Sequence, residues 1–217
     1  MTKFISFEGI DGTGKTTQIN LTKEWLIHSN YKVTILSYPV YDSFFGKEIG
    51  KHLSGKDNEL TDPKSMALWF ALDRWNDYKE NKDTIESYDI VLLNRYTLSS
   101  MVYQVIRADG SKELAAWIED LEHNVLSLPR PDLYLIFDLP FNLAYRNNSI
   151  KGKREYIDHE VDKYESDEDL QVNARSLYKE LGMSLPSGRI IECAEDGSML
   201  SIEAIFHKIQ NEVQQIL

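Results

Sequence analysis

Short runs of β-branched and aromatic residues alternate along this chain with longer stretches whose apolar positions recur at helical spacing. The short runs are Lys3–Phe7, Lys32–Leu36, Ile90–Leu93, Leu133–Phe137 and Arg189–Glu192. Helical patterns fall at Lys15–His28, Gly46–Leu53, Asp62–Asn81, Leu98–Arg107, Lys112–Leu126, Pro140–Asn147, Asp167–Leu181 and Ser201–Ile216. Such alternation predicts an α/β fold, a five-stranded parallel sheet with helices on both faces. Sheets of this kind hold ligands at the carboxyl ends of their strands, so chemistry is expected there. No internal repeat, low-complexity segment or Pro/Gly-rich linker interrupts the pattern, and one domain spanning residues 1–217 is the expectation. The segment Asn147–Asp169 breaks the rhythm, being dense in charge and poor in apolar residues. It reads either as a solvated loop or as a mobile lid that closes basic side chains over phosphates.

Composition narrows the picture. A hydrophobic fraction of 42% over 217 residues fills a sizeable core without a disulfide or metal staple. The single cysteine, Cys193, excludes an intramolecular disulfide framework and fits a reducing compartment. Met1-Thr2-Lys3-Phe4-Ile5 runs straight into a strand pattern without a signal-peptide profile, and no stretch of about eighteen apolar residues occurs. A cytoplasmic protein with no membrane partner is therefore expected. Lys and Arg number 24 against 35 Asp and Glu, a net charge of −11. That field argues against gripping a nucleic-acid backbone, although a local arginine cluster could still hold a small phosphorylated molecule. The histidines at 28, 52, 123, 159 and 207 are scattered without metal-ligand spacing, so structural zinc is not expected.

Chemistry enters with Gly9-Ile10-Asp11-Gly12-Thr13-Gly14-Lys15-Thr16, an ungapped match to G-x-x-x-x-G-K-[ST]. Gly9, Gly12 and Gly14 let the backbone turn tightly, so that amides of the loop, Thr13 and Thr17 included, face a polyphosphate. Lys15 brings a positive charge to the terminal phosphates and Thr16 a hydroxyl for Mg²⁺. The helix starting near Lys15 adds the positive end of its dipole. A strand before and a helix after are the context this P-loop requires. Asn81-Lys82-Asp83-Thr84 is not the N-K-x-D motif of a GTPase, its aspartate standing one place too early.

From Phe7 to Gln18 the chain reads F-E-G-I-D-G-T-G-K-T-T-Q, which resembles the opening of the thymidylate kinase family. The likeness continues collinearly through Tyr38-Pro39, Leu68–Trp75, Asn94-Arg95-Tyr96, Leu98–Gln104, Pro131-Asp132-Leu133 and Lys163-Tyr164-Glu165. The resemblance implies a nucleotide kinase using ATP and Mg²⁺, with a small nucleotide as acceptor and a homodimeric assembly in which Lys112–Leu126 and its neighbours form the face. It gives Phe70 the role of stacking on thymine and Arg74 that of hydrogen-bonding a ring carbonyl. Four residues apart on a helix, the two share a face. It further implies that Ser100 and Gln104 complete the pyrimidine edge, that Tyr103 lies near the sugar, and that Asp11 accepts from the 3′-hydroxyl. Arg95 is implied to hold the acceptor phosphate and the transferring group, with Arg154 of the lid as catalytic cation, followed by Lys151, Lys153 and Arg146.

Phosphoryl transfer asks mainly for positioning and charge neutralisation. A monophosphate acceptor is already an anion at neutral pH, so direct in-line transfer needs no strong base. Two positions depart from the family. Asn94 stands where the D-R-[YH] motif has aspartate, which leaves an oxygen for a Mg²⁺-bound water but no charge, and Glu8 could take over the metal's organisation. Tyr41 stands where many members carry a phosphate-gripping arginine. Two alternatives accompany the leading expectation of dTMP phosphorylation: a kinase for deoxynucleosides or other deoxynucleotides, and a catalytically silent nucleotide-binding protein.

Overall fold

Residues 1–54, 61–150 and 167–217 are described in this computed structural model. The chain enters through β1 (Lys3–Glu8), whose last five residues are buried, and turns through the glycine loop into α1 (Lys15–His28). Then follow β2 (Val33–Ser37), α2 (Phe44–Leu53), α3 (Pro63–Ile85), β3 (Ile90–Asn94), α4 (Thr97–Arg107) and α5 (Lys112–Asp120). The second half contributes β4 (Leu133–Asp138), α6 (Phe141–Ile150), α7 (Glu168–Ser184), β5 (Gly188–Glu192), the hairpin β6 (Ala194–Glu195) and β7 (Ser198–Met199), and α8 (Ile202–Gln214). The five long strands form one sheet in the order β2-β3-β1-β4-β5, with every pair parallel.

Strand β1 runs down the middle, and its register sets the site. Phe7 pairs with Asn94 of β3 and with Leu135 of β4. Glu8, Arg95 and Asp138, where β1, β3 and β4 finish, therefore gather at the carboxyl end of the sheet. The connection after β1 leads to the β2 side and the one after β3 crosses to the β4 side, the reversal at which parallel sheets open a ligand crevice. Ile5, Phe7, Leu92, Leu135 and Ile136 are fully buried between the helical layers, as strands covered on both faces should be.

Local chemistry explains most helix starts. The side chains of Ser43, Asp62, Ser111, Asp167 and Ser201 each accept from a backbone amide of the turn they open, satisfying donors that a helix leaves unpaired. Pro63 follows Asp62 at the first helical position, where its missing N–H costs nothing. Three elements differ from the sequence pattern. Helix α3 continues to Ile85, which is buried and prolongs the packing face. The pattern over Lys112–Leu126 is not one regular helix: α5 ends at Asp120 and a π turn spans Leu121–Val125, in which the Leu126 amide donates to Leu121 O at 2.8 Å. The β6–β7 hairpin was not foreseen, although Asp196 and Gly197, with φ of 48° and 75°, carry the Asp-Gly signature of a tight turn.

Candidate active site

The glycine loop is shaped by its neighbours as much as by its sequence. Gly12 has φ 81°, and a Cβ there would lie 2.1 Å from the Ala144 carbonyl oxygen of α6. The Asn147 side chain donates to Gly12 O at 2.6 Å, tying α6 to the loop. Thr13 Oγ1 donates to Ile10 O at 2.9 Å, and the Lys15 ammonium donates to Gly9 O at 2.9 Å and Ile10 O at 2.7 Å. The lysine thus sits inside the loop with only 7% of its surface exposed. Gly14, in the left-handed conformation, stands at the N-cap of α1, so the positive end of the helix faces the same hollow. Asp11, Gly12, Gly14, Lys15, Thr16, Asn94 and Arg95 line one cleft.

Arg95 is the hinge of the arrangement. Its φ of 64° is left-handed, a strained choice for a long side chain. Its Nη2 meets Asp11 Oδ1 at 2.7 Å, its Nη1 donates to Tyr178 Oη at 2.9 Å, and its guanidinium lies 5.7 Å from the Tyr103 ring. Burial works against the charge, but Asp11 and the surrounding tyrosines more than offset it and keep Arg95 firmly protonated. Burial likewise pushes Tyr103 up to about 12. Glu8, fully buried, receives Ser6 Oγ and the Tyr96 amide on Oε1, both at 2.8 Å, and Ser99 Oγ on Oε2 at 2.6 Å. Its carboxylate is thereby committed to protein donors, a correction to the metal-organising role the sequence left open for it. Burial raises its pKa, partly countered by the Ser99 and Ser6 hydroxyls. Asn94 donates weakly to Ser37 Oγ, at 3.4 Å.

A second cluster lies on α3 and α4. Arg74 is 2% exposed. Its Nε donates to Glu122 Oε2 at 2.8 Å, and its Nη2 reaches Glu122 Oε1 at 2.5 Å and Ser100 Oγ at 2.8 Å. Burial opposes the Arg74 charge, and Glu122 more than restores it. Thr97 Oγ1 adds a 2.7 Å bond to Glu122, giving the buried pair the extra partners it needs. The hydrogen bonds of Arg74 to the described residues use Nε and Nη2 and leave Nη1. The Phe70 ring, half-buried, stands 5.9 Å from the Arg74 guanidinium. Gln104 is fully buried. Its Oε1 accepts from Arg107 Nη1 at 2.8 Å, and its Nε2 has no partner among the described residues. Arg107 is itself anchored on the Thr61 carbonyl. Since an arginine cannot accept, the amide of Gln104 is locked with its donors facing away from Arg107.

Several predicted residues thus come together: Asp11, Lys15, Thr16, Asn94 and Arg95 in the cleft, with Tyr103 leading from Arg95 to the helix that carries Ser100 and Gln104. Tyr41 is 56% exposed on the turn after β2. Asp73 holds that turn, accepting from the Val40 amide at 2.8 Å and Ser43 Oγ at 2.6 Å, and Tyr38 N donates to Asn94 O at 3.3 Å, so the turn adjoins the cleft. Arg146 is exposed on α6. Arg154, Lys151, Lys153 and Lys163-Tyr164-Glu165 lie outside the described residues. Glu122, Tyr178, Asn147 and Asp138 were missed. Asp138 is buried at the end of β4, with Arg175 Nε and Lys179 Nζ each at 2.5 Å. All four act through partners distant in sequence, so no local motif marks them. Among the described residues no group of three His, Cys, Asp or Glu side chains is arranged to hold a metal ion.

Comparison with known proteins places this geometry. Residues 7–197 match the family model described as thymidylate kinase. A probable thymidylate kinase of Thermococcus gammatolerans is 34% identical over 219 residues, covering 98% of this chain and 96% of that one. The thymidylate kinase of Mycobacterium tuberculosis is 29% identical over 196 residues, 88% and 91% of the two chains. The solved thymidylate kinase of Candida albicans superposes with a TM-score of 0.69 at 21% identity, over 99% of this chain and 92% of that one, a likeness of fold.

Proposed function

The chain belongs to the thymidylate kinase family, an ATP-dependent transferase family, and from that premise we propose that it moves the terminal phosphoryl group of ATP onto dTMP to give dTDP. One observation carries the reading at residue level: the phosphate loop and the Arg95–Asp11 pair line a single cleft, and α4 spans from Tyr103, whose ring lies beside Arg95, to Ser100, which bonds Arg74. This placement supports donor and acceptor sites that meet end to end, as in-line transfer requires.

On this reading Gly9, Gly12, Thr13, Gly14, Lys15, Thr16 and Thr17 hold the donor's polyphosphate. The Thr16 hydroxyl and Asn94 amide are hard oxygen donors in the same cleft, a set suited to Mg²⁺, which keeps several of its waters. When bound, that ion would neutralise charge between the phosphates. Arg95 neutralises the acceptor phosphate and the transferring group, with Asp11 directed to the 3′-hydroxyl. Phe70 stacks on the base. A thymine edge offers two carbonyl acceptors on either side of one N–H. Arg74 Nη1 and Gln104 Nε2 are two donors available for the carbonyls, and Ser100 Oγ, which accepts from Arg74, retains a lone pair for the N–H. Tyr103 borders the sugar, and Tyr41 closes the phosphate side. The catalytic cation remains Arg154, on the resemblance alone.

A deoxynucleoside kinase would need a carboxylate ready to take a hydroxyl proton. Glu8 is engaged by three donors and Asp11 by Arg95, which favours the monophosphate acceptor. ADP release measured with dTMP, dUMP, dGMP and thymidine tests the choice. The expected order places dTMP first, and turnover of thymidine without dTMP would overturn it. We also propose a cytoplasmic homodimer with no nucleic-acid or membrane partner. The net charge of −11 disfavours polyanions, and exposed Leu68 on α3 and Val125 after α5 suit a protein contact. Light scattering at micromolar concentration tests the dimer, a monomer being the contrary result.

A further inference from the structure

Glu8 is buried, engaged by three donors, and unused in the transfer outlined above, yet it stands one residue before the phosphate loop. A line of hydrogen bonds joins it to Arg95. Ser99 Oγ lies 2.6 Å from Glu8 Oε2, the Ser99 and Tyr178 hydroxyls lie 2.7 Å apart, and Arg95 Nη1 lies 2.9 Å from the Tyr178 hydroxyl. Glu8, Ser99 and Tyr178 are 0%, 8% and 1% exposed, so water does not compete for these groups. Counting hydrogens gives the line a direction. A guanidinium only donates, an ionised carboxylate only accepts, and a hydroxyl has one hydrogen to give. Ser99 must therefore give its hydrogen to Glu8, so Tyr178 donates to Ser99 and accepts from Arg95, whose Nη1 also donates to Ser99 Oγ at a longer 3.3 Å. The same carboxylate also accepts from the Tyr96 amide, fixing the backbone immediately after the left-handed Arg95.

We propose that Tyr178 is the positioning residue for Arg95: with Ser99 and Glu8 behind it, its hydroxyl holds one guanidinium nitrogen as Asp11 holds the other, leaving the remaining N–H groups to meet phosphate oxygens. Helix α7, which carries Tyr178 83 positions beyond Arg95, thereby contributes to a site whose other parts come from β1, β3 and α4. The proposal rests on the reading that Arg95 touches the acceptor phosphate. A positioned arginine is worth more than a mobile one, because the cost of orienting it is met before substrate arrives.

The test is Tyr178→Phe, which keeps the ring and removes the hydroxyl. Removing an acceptor from a charged donor is expected to lower kcat/KM for dTMP roughly tenfold, with KM for ATP within about twofold of the parent enzyme. In an Arg95→Ala background the same substitution is expected to cost nothing further, since the group it positions is gone. Unchanged kcat/KM for dTMP, a parallel rise in KM for ATP, or an equal loss in the Arg95→Ala background would each overturn the proposal. Should Tyr178→Phe misfold, Ser99→Ala removes both the acceptor behind Tyr178 and the longer direct contact of Ser99 with Arg95. A dTMP-selective loss there supports the proposal and unchanged kinetics overturns it. Parent enzyme that turns over no dTMP would defeat the functional reading and this proposal together. Parent turnover indifferent to both variants defeats this proposal alone.

Discussion

Asn94 and Arg95 show how two adjacent residues can differ in how far sequence exposes their work. Arg95→Ala removes the guanidinium that joins Asp11 to the cleft, and kcat is expected to fall at least a hundredfold, roughly 3 kcal/mol of transition-state stabilisation. ATP binding, measured by calorimetry, should persist, because the loop amides and Lys15 are untouched. Asn94→Asp places a carboxylate in a cleft that already holds Lys15 and Arg95, and activity at saturating Mg²⁺ is expected to stay equal or rise. Motif order marked Arg95, and i, i+4 spacing paired Phe70 with Arg74. The partner of Arg74 was not legible. Glu122 lies 48 positions away and is turned inward by a π turn, and an apolar–polar pattern cannot distinguish that turn from a regular helix. Tyr178 was equally hidden, a tyrosine on an amphipathic helix being indistinguishable by spacing from core packing.

At the scale of elements, the phosphate loop is defined as much by α6 behind it as by the helix it opens. Gly12→Ala would force a Cβ to 2.1 Å from the Ala144 carbonyl at a φ of 81°, so either the loop or α6 must move. The expected cost is about 1–3 kcal/mol, read as a lower Tm, together with weakened ATP binding by titration. The sequence announced that glycine through the motif, while the reason for it lies in a helix more than 130 residues away. Strand positions and helix starts were legible because buried parallel strands are short and apolar and because Ser or Asp caps mark where helices begin. Helix ends were less so: α3 extends to Ile85 for the sake of one buried side chain, and tertiary packing outweighs local propensity in such cases.

Across the whole molecule, Asp138 ties the end of β4 to α7 through Arg175 and Lys179, and the tie responds to pH. Burial alone would raise the Asp138 carboxyl, but hydrogen bonds from the two cations reverse this and hold it below the ordinary carboxylate range. A depressed folded value means that the stabilisation is complete above the unfolded pKa near 3.8 and disappears as pH falls through the folded value. Glu8 and Asp73 act oppositely: burial raises both, so their contribution weakens as pH rises from the ordinary value through the folded one. Thermal unfolding followed from about pH 5 to about pH 2 is therefore expected to show a declining acid limb that is shallower in Asp138→Asn. An identical limb in both proteins would mean that the pair contributes nothing. The parallel sheet itself was readable from alternation alone, whereas this fastening was not: Arg175 and Lys179 share a helix face at i, i+4 spacing, but no periodicity connects that face to Asp138 at the end of β4.

One surplus residue in a helix has an unusual heritable property. The π turn at Leu121–Val125 presents Glu122 to Arg74, and exchanging any single side chain there leaves the wide winding available. Deleting one residue would instead restore ordinary α winding across the segment, the flanking turns keeping their faces while the residues inside the turn change theirs. An acid facing the base reader would then exchange places with a neighbour in one genetic step, so recognition of the acceptor could be rewired by a change in length with every other pocket residue left as it is.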